Sequence, residues 1–164
     1  MKTDRLVAQA RVDSPVGPLT LAATDKGLAF LLFEEEAHYD THLDVPVDPK
    51  NKFIAAAARQ LERYWRGPTR FDVALDPQGT PFQRTVWKAL LDVKPGETST
   101  YGEIARRLGM PHASRAVGAA IGRNPVAIIV PCHRIIGSDG SLTGFAGGLP
   151  RKEYLLQHEG VLLV

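Results

Sequence analysis

Apolar and polar positions alternate over residues 5–13, the two-residue period of a half-buried strand. Residues 19–24 and 28–33 are two further apolar stretches, set off by the turns Ser14-Pro15-Val16-Gly17-Pro18 and Asp25-Lys26-Gly27. The chain is therefore predicted to open as an antiparallel meander. Residues 34–49 are acidic and weakly patterned, and a short helix plus loop is expected there. From residue 51 the period lengthens to that of a helix, with Phe53, Ile54, Ala57, Ala58 and Leu61 on one face and Gly67-Pro68 ending it. Residues 71–75 read as one more short strand.

Pattern and composition both change at Asp76-Pro77-Gln78-Gly79, the expected boundary between a domain of residues 1–76 and a second of residues 80–164. Thr80 with Gln83 three residues on, and Pro81 between them, announces a helix running to about residue 93. Thr100 with Glu103 repeats the capping pattern for a helix over residues 101–108. After Gly109-Met110-Pro111-His112 another helix covers residues 113–122, stopped by Asn124-Pro125. Two short helices joined by a glycine-containing turn make a helix-turn-helix unit. Residues 126–130 read as a short buried strand, ended by Pro131, and a helix over residues 149–158 closes the chain.

The candidate chemistry lies just past that strand. Cys132 is the single cysteine of 164 residues and stands between Pro131 and His133, with Arg134 beyond. Most lone cysteines are small core hydrophobes. This one has a ring base and a guanidinium beside it, which an inert thiol does not need and whose positive field favours the reactive thiolate. One cysteine makes no internal disulfide, residues 1–5 lack the apolar core of a signal peptide, and no apolar run reaches about 18 residues. An intracellular location is expected, cytoplasmic, or nuclear in a eukaryote, with no membrane partner. His38 and His42 stand at helical i, i+4 spacing with no further ligand nearby, so no metal is expected.

The net charge of +2 says little, but its distribution says more. Residues 34–50 hold six acids against one lysine, whereas residues 100–135 hold Arg106, Arg107, Arg115, Arg123 and Arg134 against Glu103 alone. Either the C-terminal half docks on nucleic acid or this is a solvated basic surface. The second helix of the unit reads Ser114-Arg115-Ala116-Val117-Gly118-Ala119-Ala120-Ile121-Gly122. After Arg115 nothing on it reads a base edge in the major groove. Its small residues suit helix-to-helix packing, or a slim helix in the minor groove with Arg115 filling the space left by an extruded base.

Pro131-Cys132-His133-Arg134, preceded by Arg115-Ala116-Val117-Gly118 and Asn124-Pro125 and followed by the loop of residues 137–149 and His158-Glu159-Gly160, resembles the O6-alkylguanine-DNA alkyltransferases. The resemblance covers residues 80–160; residues 1–75 match in general layout only. It implies an α/β (α+β) protein, with a small ribonuclease H-like N-terminal domain and a winged helix-turn-helix-like C-terminal domain. It also implies irreversible, cofactor-free transfer of an alkyl group from guanine O6, with O4-alkylthymine as a further candidate lesion, to the protein's own cysteine. Cys132 would be the acceptor, His133 its base through a water, Glu159 the partner of the histidine, and Asn124 the brace of the loop. Tyr101 would hydrogen-bond the guanine and help protonate it. Ile121, Ile135, Phe145, Ala146 and Gly147 would line the base pocket with Cys132. Arg115 would be the finger inserted into duplex DNA, with Thr100, Ser114, Ala116, Gly118, Ala119, Gly122, Arg123 and Arg134 against the backbone. A monomer, cooperative on DNA through its acidic and basic faces, would suffice.

Three departures carry consequences. Phe145 stands where many relatives have tyrosine and would lose a hydroxyl contact, Ala127 stands where some have proline and would make the pocket roomier, and the N-terminal cysteines that hold zinc in others are missing. Two rival readings are a turning-over Cys-His-Glu hydrolase or acyltransferase, which has no use for a helix-turn-helix, and a non-catalytic binder of alkylated bases or DNA-binding regulator. Binders of this type lack the cysteine that Cys132 supplies.

Overall fold

The computed structural model describes residues 5–161; Met1 to Asp4, part of the segment read above for a signal peptide, fall outside the described residues. Three strands, β1 (Ala8–Val12), β2 (Leu19–Ala23) and β3 (Leu28–Phe33), form the expected antiparallel meander, with Ala10 opposite Leu21 and Leu21 opposite Leu31. The helix α1 (Lys52–Arg66) is capped by Asn51, whose side chain accepts from the amides of Phe53 and Ile54. It buries Ile54, Ala57, Leu61 and Tyr64 in the core that also holds Leu19, Leu21, Leu31 and Phe33.

Residues 34–49 form no helix. They run as an irregular strap whose Tyr39, Leu43 and Val45 cover the other sheet face, Leu6, Ala22, Ala29, Phe30 and Leu32. The Gln9 side chain fastens the strap through the carbonyls of Leu43 (2.6 Å) and Val45 (2.8 Å). Without a helix, His38 and His42 do not share a face, and both are exposed. The strand expected over residues 71–75 shrinks to one bridge, Leu75 beside Leu28.

The second half holds α2 (Pro81–Leu90), β4 (Ser99–Thr100), α3 (Tyr101–Arg107), α4 (Ser114–Gly122), a single 3-10 turn (Cys132–Arg134), β5 (Ile135–Ile136) and α5 (Leu149–His158). Thr80 and Gln83 form the full capping box that starts α2, which ends at Leu90, short of the expected residue 93. Thr100 caps α3 by accepting from the Glu103 amide, but the Glu103 side chain turns to Arg106 and Arg107 instead of closing a box. The strands β4 and β5 pair in parallel and bring the start of α3 beside the end of the Cys132 turn.

The two halves share one core. Leu31 of β3 donates to the Pro125 carbonyl (2.9 Å) and accepts from the Ala127 amide (3.0 Å), so Val126 makes a single parallel bridge to the N-terminal sheet. Beyond it the expected strand does not form. The Asn124 side chain accepts from the Val126 amide (2.9 Å) and donates to the Val130 carbonyl (2.8 Å), taking groups a ladder would need. The Ile129 amide closes back on the Ala127 carbonyl across Ile128, whose φ of 70° is rare for a β-branched residue. Such strain persists only where the surroundings enforce it, and here it lies four residues before the cysteine.

Candidate active site

Pro131, at φ −84° and ψ 61°, is the centre of an inverse γ-turn in which the Cys132 amide donates to the Val130 carbonyl (2.8 Å). That turn sets Cys132 on the wall of a cavity of about 430 Å³, part of it open to solvent, between the outer end of α4, the start of α3 and the loop of residues 137–148. Tyr101, Ile121, Asn124, Phe145, Ala146 and Gly147, all expected at the base pocket or beside the thiol, line the same cavity. Ile135, expected in the base pocket, does not line this cavity; it is buried, with its carbonyl accepting from Lys152 (2.6 Å). Ala127 also lines the cavity.

The pocket is held by contacts the sequence did not announce. The Phe33 ring packs edge-on against Phe145 at 5.7 Å, and a Cβ on Gly147 would lie 2.4 Å from it, so only glycine fits there. Arg151 donates to the carbonyls of Val16 (3.0 Å), Glu34 (2.8 Å) and Gly147 (3.1 Å), tying the loop to the N-terminal sheet. The Tyr101 hydroxyl shares a 2.6 Å hydrogen bond with Thr143.

Behind the cysteine is a buried polar cluster. Glu159 accepts four hydrogen bonds: from His133 Nε2 (2.8 Å), from Nε and Nη2 of Arg134 (2.8 Å each) and from the Tyr64 hydroxyl (2.5 Å). Burial opposes its charge, but the bonds from Arg134 and His133 outweigh burial and hold the carboxyl well below the usual range. An ionised carboxylate only accepts, so the His133 proton is assigned to Nε2 and Nδ1 keeps its lone pair. Nδ1 is buried with no hydrogen-bond partner in the protein. Burial first, and Arg134 and Lys152 after it, lower the pKa of His133, so the ring is neutral at rest.

Two sequence-based expectations fail here. Arg134 is buried on Glu159 and on the Val93 carbonyl (2.7 Å), so it is not a DNA contact. Nor do Arg134 and His133 ionise the thiol: burial pushes Cys132 up to about 11, against the Asn124 amide that donates to Sγ at 3.1 Å. Tyr64, Lys152, Arg151, Phe33 and Glu36 were missed altogether. The apolar stripe read in the sequence of α1 ran from Phe53 to Leu61, and nothing in it pointed to Tyr64 or tied that face to residue 159.

On α4, Val117, Ala120 and Ile121 face inward, and Trp87 of α2 donates to the Ala120 carbonyl (2.7 Å). Arg115, Ala116, Ala119 and Arg123 are exposed, with Ser114, Gly118 and Gly122 half-buried beside them. A Cβ on Gly122 would meet nothing within 4 Å and one on Gly118 only Tyr101 at 3.5 Å, so helix packing does not require these glycines. Among the described residues, no carboxylate pairs with Arg115 or Arg123, whereas Glu103 takes Arg106 and Arg107. The half-buried Thr100 hydroxyl accepts from Glu103 N at 3.1 Å, at the same end of α3 as Tyr101.

The ribonuclease-like domain of 6-O-methylguanine DNA methyltransferases matches residues 8–77, and their DNA-binding domain matches residues 81–161. The chain belongs to this family. It is 52% identical to a methylated-DNA–protein-cysteine methyltransferase of Methanosarcina barkeri, over 90% of this chain and 94% of the relative. A crystal structure of Mycobacterium tuberculosis OGT in complex with DNA, 51% identical, superposes with a TM-score of 0.84 over 93% of this chain and 92% of that one. The O6-methylguanine DNA methyltransferase of Methanococcus jannaschii, 26% identical, reaches 0.65 over 94% and 95%. The mixed α/β architecture of the family, with its small antiparallel sheet first and its helices after, is the one described above.

Proposed function

We propose that the protein repairs DNA by moving the alkyl group of O6-alkylguanine to Sγ of Cys132, once per molecule and without cofactor. The observation that carries this reading is the single thiol on the wall of an open cavity, backed by a histidine whose free nitrogen is buried and whose other nitrogen is fixed by a carboxylate. At rest the thiol is protonated, and ionising it alone at neutral pH costs on the order of 5 kcal/mol. His133 Nδ1 takes that proton through a water, and Glu159, already ionised, stabilises the imidazolium that forms. The S–C bond forms as the C–O6 bond breaks; the electron pair leaves on guanine, where the Tyr101 hydroxyl supplies a proton. Asn124 holds Sγ and the Val126 and Val130 backbone in one grip. The thioether product has no activated leaving group, so the protein is consumed.

Duplex DNA lies along the outer face of α4, whose bare glycines and alanines enter the minor groove without sequence preference, while Arg115 occupies the gap left by the flipped base. O6 alkylation weakens pairing with cytosine and lowers the cost of that flip. This reading takes the protein to act as a monomer in the cytoplasm, where a thiol stays reduced. Incubation with duplex DNA carrying O6-methylguanine, read by intact mass, is expected to add one methyl group to the protein, and Cys132→Ser to abolish the addition while retaining DNA binding. No mass change in the wild type would leave a binder or regulator; release of modified guanine over many turnovers would make it a hydrolase.

A further inference from the structure

Glu36 lines the same cavity as Cys132, yet it belongs to the N-terminal half. It lies in the turn that follows β3, next to Glu35 at φ 62°, and the Ala37 amide donates to the Ala146 carbonyl (3.2 Å) on the pocket loop. Its Oε1 accepts from the Phe33 amide (3.1 Å), whereas Oε2 is buried with no partner. A buried carboxyl oxygen left unsatisfied costs stability, and its place beside a reactive group calls for a functional explanation. The relay from Cys132 to His133 and Glu159 makes no use of it.

We propose that Glu36 is a specificity-determining residue that screens the alkyl group on O6, admitting neutral groups and rejecting those that carry a negative charge. The inference rests on the alkyl-transfer reading above. An alkyl group bound for Sγ enters the cavity that this carboxyl lines, where the low dielectric makes repulsion between two carboxylates far stronger than in water. Burial, opposed by the Phe33 amide and by Arg151 of α5, raises the Glu36 pKa to about 7, so the screen is charged above neutrality and weakens below it. Of the other groups around it, Arg151 is its counter-charge, and burial pushes Tyr39 up to about 12 and Cys132 to about 11, so neither of those two titrates between pH 6 and 7.5. Burial lowers Lys152, beside Cys132, to about 8, so it remains mostly cationic over that range.

The test compares single-turnover transfer from duplexes carrying O6-methylguanine and O6-carboxymethylguanine, read by intact mass as a ratio of rate constants. The ratio is independent of the amount of active protein. Glu36→Gln is expected to lower the methyl-to-carboxymethyl ratio at pH 7.5 by about tenfold, and Glu36→Asp to leave it within about threefold of wild type. In the wild type the ratio should fall between pH 7.5 and pH 6, and in Glu36→Gln it should stay flat. An equal ratio in wild type and Glu36→Gln overturns the proposal. Should that variant fail to fold, a wild-type ratio that does not move with pH overturns it equally. Absence of methyl transfer by the wild type would instead strike the alkyl-transfer reading.

Discussion

Glu159 accepts four hydrogen bonds in the interior, whereas the outer face of α4 presents glycines and alanines, and a Cβ added at Gly122 would meet nothing within 4 Å. Both regions flank the same cysteine, and they follow contrary rules. The interior cluster is closed: each charge has its partner, so removing one member strands the others in low dielectric. The α4 face is open, and substitutions there leave the fold alone and fall on whatever docks against it. Residue type alone does not separate the two, since Arg134 and Arg115 look equally basic in the sequence.

The largest effect is expected from breaking the closed region. Glu159→Ala leaves Arg134 buried and unpaired, which should cost about 3–5 kcal/mol in urea titrations. The sign of the pH dependence follows from the depressed carboxyl. Its contribution is present above the ordinary carboxylate pKa and is lost as pH falls toward its low folded-state value. Wild-type stability should therefore drop as pH falls below about 4.5, and Glu159→Gln should flatten that part of the curve. An unchanged slope would mean that the charge on residue 159 does not hold the cluster.

Arginine against arginine sharpens the comparison. Arg134→Gln should destabilise by about 2–4 kcal/mol, because a charged buried partner loses its donors, yet leave the salt dependence of DNA binding as it was. Arg115→Ala should change stability by less than about 0.5 kcal/mol and slow transfer from duplex DNA more than transfer from free O6-benzylguanine. A loss of salt dependence in the Arg134 variant would reverse the assignment of the two residues.

How far the sequence discloses these regions depends on the range of the forces. Local signals were sufficient for the meander, for the Asn51-led helix and for the Thr80–Gln83 box, since spacing and caps act within a few residues. Two expected strands dwindled to single bridges: at residues 71–75 the Gln60 side chain takes the Asp72 amide, and at residues 126–130 Asn124 and a tight turn take the backbone groups. The cysteine, the histidine and the pocket loop were legible through their motif and their family resemblance. Tyr64, Glu36 and Phe33 were not: each reaches the site from the N-terminal half, and no local pattern records a contact made across so much chain. The same distance hid the fate of Arg134, which pairs with a residue 25 positions away.

The smallest effect is the most discriminating, because its two halves have opposite signs. Glycine inside a helix costs up to about 1 kcal/mol relative to alanine, and a Cβ on Gly122 would meet no protein atom within 4 Å. Gly122→Ala should therefore raise stability by a few tenths to about 1 kcal/mol, with the gain trimmed by its place as the last residue of α4. The added methyl group stands on the face assigned to the minor groove, so affinity for undamaged duplex should fall even as the fold becomes more stable. Fluorescence anisotropy beside thermal melting measures both on one sample. A more stable protein with unchanged affinity would show that this glycine lies outside the footprint, and the open face of α4 would then have to be placed elsewhere than against DNA.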